Sequence, residues 1–135
     1  MNRKLHAYFL YLLIFAYAIT PDVFAETINI TQINFTSTPQ TIEIDTVSSQ
    51  LTTQTQNSGG TLEQLNTSGT VLELSSSSTT GQFSSNATNW IPVSTLGMNN
   101  GTANRNFYYK DSTAGTHTLT VAAQGKSWTS AVQSI

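Results

Sequence analysis

Polar and apolar positions alternate with a period of two in several short segments of the chain. The clearest case lies in residues 107–123, where Phe107 and Tyr109 share one face and Tyr108 and Lys110 the other. Such alternation predicts a strand with one face in a core and the other in water. A turn of small polar residues and a glycine follows, and then a second alternating strand. The apolar face of that second strand is formed by Leu119, Val121 and Ala123.

Further short strands are predicted along the chain, with turn residues such as Asn57-Ser58-Gly59-Gly60 between them. Phe83 stands alone between polar loops and is expected to be buried in the core. Serine and threonine residues are interpreted as forming the solvent-exposed face of the strands. Short strands separated by turns at regular spacing indicate a sandwich or barrel with almost no helix. The other predicted strands cover residues 27–35, 41–45, 50–56, 61–65, 70–74, 90–96 and 128–135.

The start of the chain has the three-part pattern of an export signal. Two basic residues precede an apolar run over residues 7–19, and Val23 and Ala25 occupy the −3 and −1 positions of a cleavage site. The apolar run is short for a membrane span, and an uncleaved anchor helix is the alternative. The pattern predicts a signal peptide over residues 1–25, followed by a single domain over residues 26–135.

Composition narrows the classes of partner. The chain has 9% charged residues, a formal net charge of −2 and no cysteine. Without a basic patch, nucleic acids and anionic membrane surfaces are poor partners. The absence of cysteine means that the exported domain folds without disulfides, by burial of its core alone.

The segment Tyr-Tyr-Lys-Asp-x-x-Ala-Gly-Thr at residues 108–116, which leads into a threonine-rich strand, resembles bacterial immunoglobulin-like domains of the Big type. The resemblance extends from about Ile33 onward. When the wider immunoglobulin pattern is laid over the same turn, His117 takes the place of the corner tyrosine and Leu119 that of the cysteine. The resemblance implies an immunoglobulin-like β-sandwich of about seven antiparallel strands. The resembling motifs say almost nothing about function. The preferred hypothesis is a non-catalytic structural or adhesive module of a secreted or cell-surface protein, either a complete unit or a fragment of a longer chain.

The titratable residues do not form a recognised catalytic motif. His117 is the only histidine of the predicted mature chain, and no Gly-x-Ser-x-Gly elbow is present. One histidine without cysteine cannot close a zinc site, so His117 is expected to hold its loop by a hydrogen bond. Glu43 and Asp45 are interpreted as a solvated edge rather than a carboxylate pair or a calcium site. We therefore expect no enzyme activity, no metal and no cofactor; a deep polar cleft that gathers His117 with carboxylates would contradict this expectation.

Large aromatic residues offer the alternative of ligand binding. The candidate ligand contacts are Trp90, Tyr108 and Trp128, because flat aromatic rings stack on sugar rings. The competing interpretation is that these side chains pack in the core or at its rim, since large aromatic residues also fill sandwich cores. The expected partners are neighbouring modules, cell-surface proteins or glycans, with no nucleic acid and no membrane contact after signal cleavage. A carbohydrate-binding accessory module is the second hypothesis, and a secreted hydrolase is the third.

Overall fold

The computed structural model describes residues 29–66 and 68–135, so the predicted signal peptide and its cleavage site lie outside the described residues. Those ranges contain no helix, and therefore none that could cross a membrane. They form eight short strands. The strands are β1 (Gln32–Phe35), β2 (Leu51–Gln56), β3 (Thr70–Ser76), β4 (Gln82–Ser84), β5 (Thr95–Met98), β6 (Asn104–Lys110), β7 (Thr118–Ala123) and β8 (Ala131–Ser134).

The strands form two antiparallel sheets of four strands each, in the orders β1-β2-β6-β4 and β5-β3-β7-β8. The prediction of an all-β sandwich is therefore confirmed, with eight strands where about seven were expected. One strand that the pattern did not predict is β4, which contains Phe83. Its side chain is buried, as expected of a core anchor.

The core lies between the two sheets. Phe107 and Tyr109 of β6 are fully buried, and so are Leu119 and Val121 of β7, which confirms the faces expected from their alternation. Phe83 packs between the two buried β6 rings, with its ring centre 6.0 Å from that of Phe107 and 5.1 Å from that of Tyr109. Tilted aromatic pairs at these distances contribute about 0.5–1.5 kcal/mol beyond the area that they bury.

The two strands of residues 107–123 do not pair with each other. β6 pairs with β2 and β4, whereas β7 pairs with β3 and β8 in the other sheet. The connection over residues 111–117 therefore crosses from one sheet to the other at one end of the sandwich. We call this end the loop pole.

Three strand predictions fail over most of their length, and those at residues 27–35 and 128–135 are confirmed only as the shorter strands β1 and β8. Residues 41–45 form a turn, because Asp45 has a φ of 59° and the amide of Thr46 donates to the carbonyl of Glu43 at 3.1 Å. Residues 61–65 contribute only an isolated bridge to β2, and the strand expected at residues 90–96 begins later, at β5. Ile44, which shares a face with Ile42 in the alternating pattern, is 57% exposed.

Threonine is not confined to the solvent face. Thr53 and Thr55 of β2 are both buried, contrary to the interpretation of threonine as an exterior residue. Their hydroxyls find backbone acceptors: that of Thr55 donates to the carbonyl of Glu63 at 2.6 Å, and that of Thr53 to the carbonyl of Arg105 at 3.4 Å. Because each buried hydroxyl is hydrogen-bonded, it can occupy a core position at little cost.

The first and last segments of the described domain lie side by side. The amide of Ile33 donates to the carbonyl of Thr129, and the amide of Thr129 to the carbonyl of Thr31, both at 2.9 Å. This pairing is parallel. Ile135 pairs with His117 at the loop pole, so Asn29 lies toward the opposite end of the sandwich.

Candidate functional site

A network of buried polar groups holds the loop pole together. Tyr109 and Asp111 are two residues apart and point to the same side, which brings the tyrosine hydroxyl to within 2.5 Å of Asp111 Oδ2. The other carboxylate oxygen accepts from the hydroxyl of Thr80 at 2.5 Å and from the amide of Thr113 at 3.0 Å. Since the tyrosine proton goes to Asp111, the hydroxyl of Ser76, 2.9 Å away, donates to Tyr109. The network therefore joins β6 to β3 of the opposite sheet.

The network shifts the pKa of both of its titratable members. Burial alone raises the pKa of Asp111, but the hydrogen bonds from Thr80, Tyr109 and the amide of Thr113 outweigh burial and hold that pKa well below its ordinary value. Burial raises the pKa of Tyr109 to about 12, with the Asp111 carboxylate as the next cause. At neutral pH the pair is therefore an ionised carboxylate and a neutral phenol.

A cleft of about 590 Å³ opens above this network, between the turn at residues 41–44 and the loop at residues 113–117. It gathers His117 with the carboxylates of Asp111 and Glu43, which is the arrangement that contradicts the expectation of no catalysis unless the contacts of these groups give them another role. The contacts within the cleft point to a structural role instead. The Nε2 of His117 lies 3.2 Å from the carbonyl of Thr113, within its own loop, and 3.8 Å from Asp111 Oδ2, beyond hydrogen-bond distance.

The carboxylate in the cleft is poorly suited to acid–base chemistry. A general base works best with a pKa near the working pH, whereas the pKa of Asp111 is lowered and both of its oxygens already accept hydrogen bonds. His117 contacts the loop as the sequence led us to expect. Within residues 29–66 and 68–135, no group of three or more histidine, aspartate or glutamate side chains is placed to hold a metal ion.

A second polar region covers the outer face of the sheet β1-β2-β6-β4. Side chains that alternate with the core residues project from this face, and most of them carry an amide group. We call this surface the amide face. Its members are Gln32, Asn34, Thr52, Gln54, Gln56, Asn104, Asn106, Tyr108 and Lys110.

The candidate ligand contacts divide between two places. Tyr108 belongs to the amide face, and Trp90 lies at the β4 side of the same face, with the Nζ of Lys110 4.7 Å from its ring centre. The indole nitrogen of Trp90 donates to Gln82, which pairs in register with Lys110. Trp128 lies beyond β1 at the opposite side of the sheet and packs against the core. The structure brings Trp90 and Tyr108 to one surface and leaves Trp128 apart.

Trp90 is held over the sheet by the loop that follows β4. The hydroxyl of Ser84 accepts from the amides of Asn86 at 3.2 Å and Ile91 at 3.3 Å and donates to the carbonyl of Asn86 at 3.0 Å. The side chain of Asn86 accepts from the amide of Thr88 at 2.8 Å. These local bonds fold the loop back across β4, so that a buried serine positions an aromatic residue at the sheet edge.

Sequence reasoning missed the part played by Asp111, which it treated as a turn residue. The available signal was the spacing of Tyr109 and Asp111, because residues two apart on a strand share a face. The amide face was missed for a similar reason. Its asparagine and glutamine residues come from three strands and only register places them side by side, as Gln32 opposite Gln56 and Gln54 opposite Asn104.

Comparisons with known proteins show similarity of fold but do not indicate an activity. No protein-family model matches the chain, and no curated protein matches it. The fold is similar to domains 4 and 5 of the S-layer protein SbsC, with a TM-score of 0.52 and 15% identity over 80% of this chain and 51% of that one.

Two glycosidases contain a similar fold. A glycosyl hydrolase family 2 member from Bacteroides cellulosilyticus matches with a TM-score of 0.56 and 14% identity over 79% of this chain. The β-glucuronidase of Parabacteroides merdae matches with a TM-score of 0.50 and 14% identity over 82% of this chain. The chain spans only 15% and 12% of those two proteins and about half of the S-layer fragment. At such identities the likeness shows the fold alone: an all-β sandwich that also occurs as one part of longer proteins.

Proposed function

We propose that the chain is a non-catalytic immunoglobulin-like module that serves as a structural and adhesive unit of an exported protein. The resemblance at residues 108–116 and the predicted signal peptide at residues 1–25 support the family and the export. The occurrence of the fold as one part of longer chains supports a modular role. The observation that carries the proposal is the parallel pairing of Gln32 with Thr129, which puts Asn29 and Ile135 at opposite ends of the sandwich.

This arrangement suits a spacer. Modules whose first and last residues lie at opposite ends can follow one another in a line. Tension between Asn29 and Ile135 would slide the two parallel segments past each other, because each is pulled along its own strand direction. The two hydrogen bonds that join Thr31 and Ile33 to Thr129 would then be loaded together, and such shear resists force better than opening bonds one at a time.

Mechanical unfolding of single molecules tests this role. The full chain, held by handles attached ahead of Asn29 and after Ile135, is compared with Thr129→Pro, which removes the donor to Thr31. The matched control is Gln124→Pro, which also removes one backbone hydrogen bond, to the carbonyl of Val71 at 2.8 Å, but away from the paired ends. We expect both variants to lose similar equilibrium stability and only Thr129→Pro to unfold at clearly lower force. Equal unfolding forces for the two variants would refute the mechanical role of this pairing.

The non-catalytic part of the proposal has its own test. Asp111 already accepts a hydrogen bond from Tyr109, and His117 lies beyond hydrogen-bond distance of its carboxylate. Both observations support a structural rather than a catalytic role for the cleft. We expect no release of chromophore from a panel of aryl glycosides and esters. Hydrolysis that disappears in His117→Ala, while Gln124→Ala retains it, would show that the cleft is an active site.

A further inference from the structure

The amide face is ordered by hydrogen bonds between its own side chains. Gln56 Oε1 accepts from Asn34 Nδ2 at 2.5 Å, and Gln56 Nε2 donates to Gln54 Oε1 at 2.9 Å. Gln54 Nε2 in turn donates to Asn104 Oδ1 at 3.0 Å, so the row crosses from β1 through β2 to β6. Beside it, the hydroxyl of Thr52 donates to Asn106 Oδ1 at 3.0 Å. Side chains fixed in this way lose less conformational freedom when a ligand binds.

The row still has groups to offer a ligand. Each amide carries two N–H donors and a carbonyl with two lone pairs. Asn104 and Asn106 use their oxygens as acceptors within the row. In the part of the chain that the structure describes, neither of their Nδ2 groups donates to a protein acceptor. Both residues are exposed, so these donors point into solvent from a row whose geometry is already fixed.

The charge of the face restricts what it can bind. None of its members is acidic, and its one basic residue, Lys110, has its ammonium group over the ring of Trp90. Neither a polyanion nor a cationic segment would find complementary charge here. A partner that is uncharged and carries groups that both donate and accept hydrogen bonds would match the amides. Sugar hydroxyls have this property.

The β4 side of the face adds the apolar part of such a site. Tyr108 is half-buried two residues before Lys110 on the same face, and the loop after β4 holds Trp90 against the ammonium group of Lys110 and the side chain of Gln82. Aromatic rings offer flat apolar area at low cost in conformational entropy. With neighbouring strands about 4.8 Å apart, the four strands span roughly 14 Å, enough for two or three sugar units in a row.

We propose that the amide face, together with Trp90, binds the chain of an uncharged polysaccharide. The amides of β2 and β6 bond to its hydroxyls, and Tyr108 and Trp90 pack on its ring faces. This inference rests on the adhesive part of the proposed function and not on its spacer part. Absence of binding by a folded protein would leave the mechanical role standing, whereas loss of the mechanical role would leave the binding untouched.

Affinity electrophoresis of the exported protein in native gels tests the proposal. The gels contain xyloglucan, galactomannan or hydroxyethylcellulose as uncharged probes, and alginate as the anionic comparison. Mobility is expressed relative to the same variant in a gel without polysaccharide, which removes the effect of a changed net charge. Asn106→Asp and Trp90→Ala are the test variants, and Gln124→Glu is the control because it changes an exposed amide outside the face. Thermal unfolding by circular dichroism checks that each variant is folded.

We expect at least one uncharged polysaccharide to retard the protein and alginate not to do so. Loss of one hydrogen bond and its donor should raise the dissociation constant of Asn106→Asp about tenfold, with Gln124→Glu unchanged. Three results would overturn the proposal: no retardation by any uncharged probe, retardation by alginate alone, or equal effects of Asn106→Asp and Gln124→Glu. A fourth overturning result would come from sedimentation equilibrium. If the protein is a dimer and Asn106→Asp makes it a monomer, the amide face binds a second copy of the chain instead of a polysaccharide.

Discussion

Replacing Asp111 by asparagine is the sharpest test of how the loop pole is held. The substitution keeps the size of the side chain but removes its charge and turns one carboxylate oxygen into an amide donor. In the native domain those oxygens accept from the hydroxyls of Tyr109 and Thr80 and from the amide of Thr113. An asparagine has only one side-chain oxygen, which can accept from the donors on one side of the group. A donor on the other side then faces the N–H₂ group, which is itself a donor.

The magnitude follows from the number and kind of bonds. A hydrogen bond to a charged group contributes about 1.5–3 kcal/mol, and a neutral one about 0.5–1.5 kcal/mol. If the amide oxygen keeps Thr80 and Thr113, those two bonds become neutral and weaker while the bond to Tyr109 is lost. The tyrosine hydroxyl has Ser76 within reach, at 2.9 Å, and asparagine avoids the cost of burying a carboxylate. We therefore expect Asp111→Asn to lower the free energy of unfolding by about 2–4 kcal/mol, a large share of the 5–15 kcal/mol usual for a domain.

Urea unfolding across a range of pH separates this explanation from a general loss of packing. The pKa of Asp111 is lowered in the folded state, so as pH falls below about 5 the unfolded chain takes up the proton first. The stability that the carboxylate provides is complete above its ordinary pKa of about 3.9 and is lost as the pH falls toward the folded-state pKa. The gap between wild type and Asp111→Asn should therefore be largest at neutral pH and should narrow in acid.

The control is Asp45→Asn, which removes an exposed carboxylate at the same pole. Asparagine tolerates the positive φ of position 45, so this variant changes the net charge with little strain. Two results would refute the reasoning: Asp111→Asn as stable as wild type at pH 7, or a stability gap that stays constant during acidification.

Two further predictions concern the same network. A Cβ on Gly81 would lie 2.9 Å from Cε2 and Cζ of the Tyr109 ring and closer still to its hydroxyl, so Gly81→Ala should lose about 1–3 kcal/mol in urea unfolding. Gly97→Ala, where the added atom has nothing within 4 Å, should lose nothing, and equal losses would contradict the packing argument. Because the pKa of Tyr109 is raised from 10.0 to about 12, its phenol should stay neutral as exposed tyrosines ionise. The stability that depends on the neutral phenol is complete below pH 10 and is lost as the pH rises from about 10 toward about 12. Ultraviolet titration of wild type against Tyr109→Phe measures this pKa, and a value near 10 would contradict the prediction.

The sequence predicted strands well where alternation was strict and the apolar residues were large. The faces of β6 and β7 follow from the positions of Phe107 and Leu119, because burial of large side chains dominates the choice of register. Alternation does not indicate which sheet a strand joins. For that reason the crossing of the 111–117 connection between sheets could not be read from the sequence, although both of its strands could.

The wrong predictions share a physical cause, which is backbone hydrogen bonding that residue type does not reveal. Residues 41–45 alternate like a strand, but the left-handed conformation of Asp45 and the bond from its amide to the carbonyl of Asp111, at 2.7 Å, make the segment a turn. Thr53 and Thr55 look like surface residues until the carbonyls that accept from their hydroxyls are known. Both facts depend on residues distant in the sequence.

The titratable residues are the usual candidates for chemistry, but in this fold they are already engaged in hydrogen bonds. Asp111 has both carboxylate oxygens occupied, and His117 faces a carbonyl of its own loop, so little of either group is left for a substrate. The uncharged side chains of the amide face, in contrast, include hydrogen-bond donors that the fold leaves unused. Asn104 and Asn106 are fixed through their oxygens while their donors face solvent. A group forms hydrogen bonds with a partner only through donors and acceptors that the fold has left unused, and this supports the proposal that the amide face, rather than the cleft, binds a ligand.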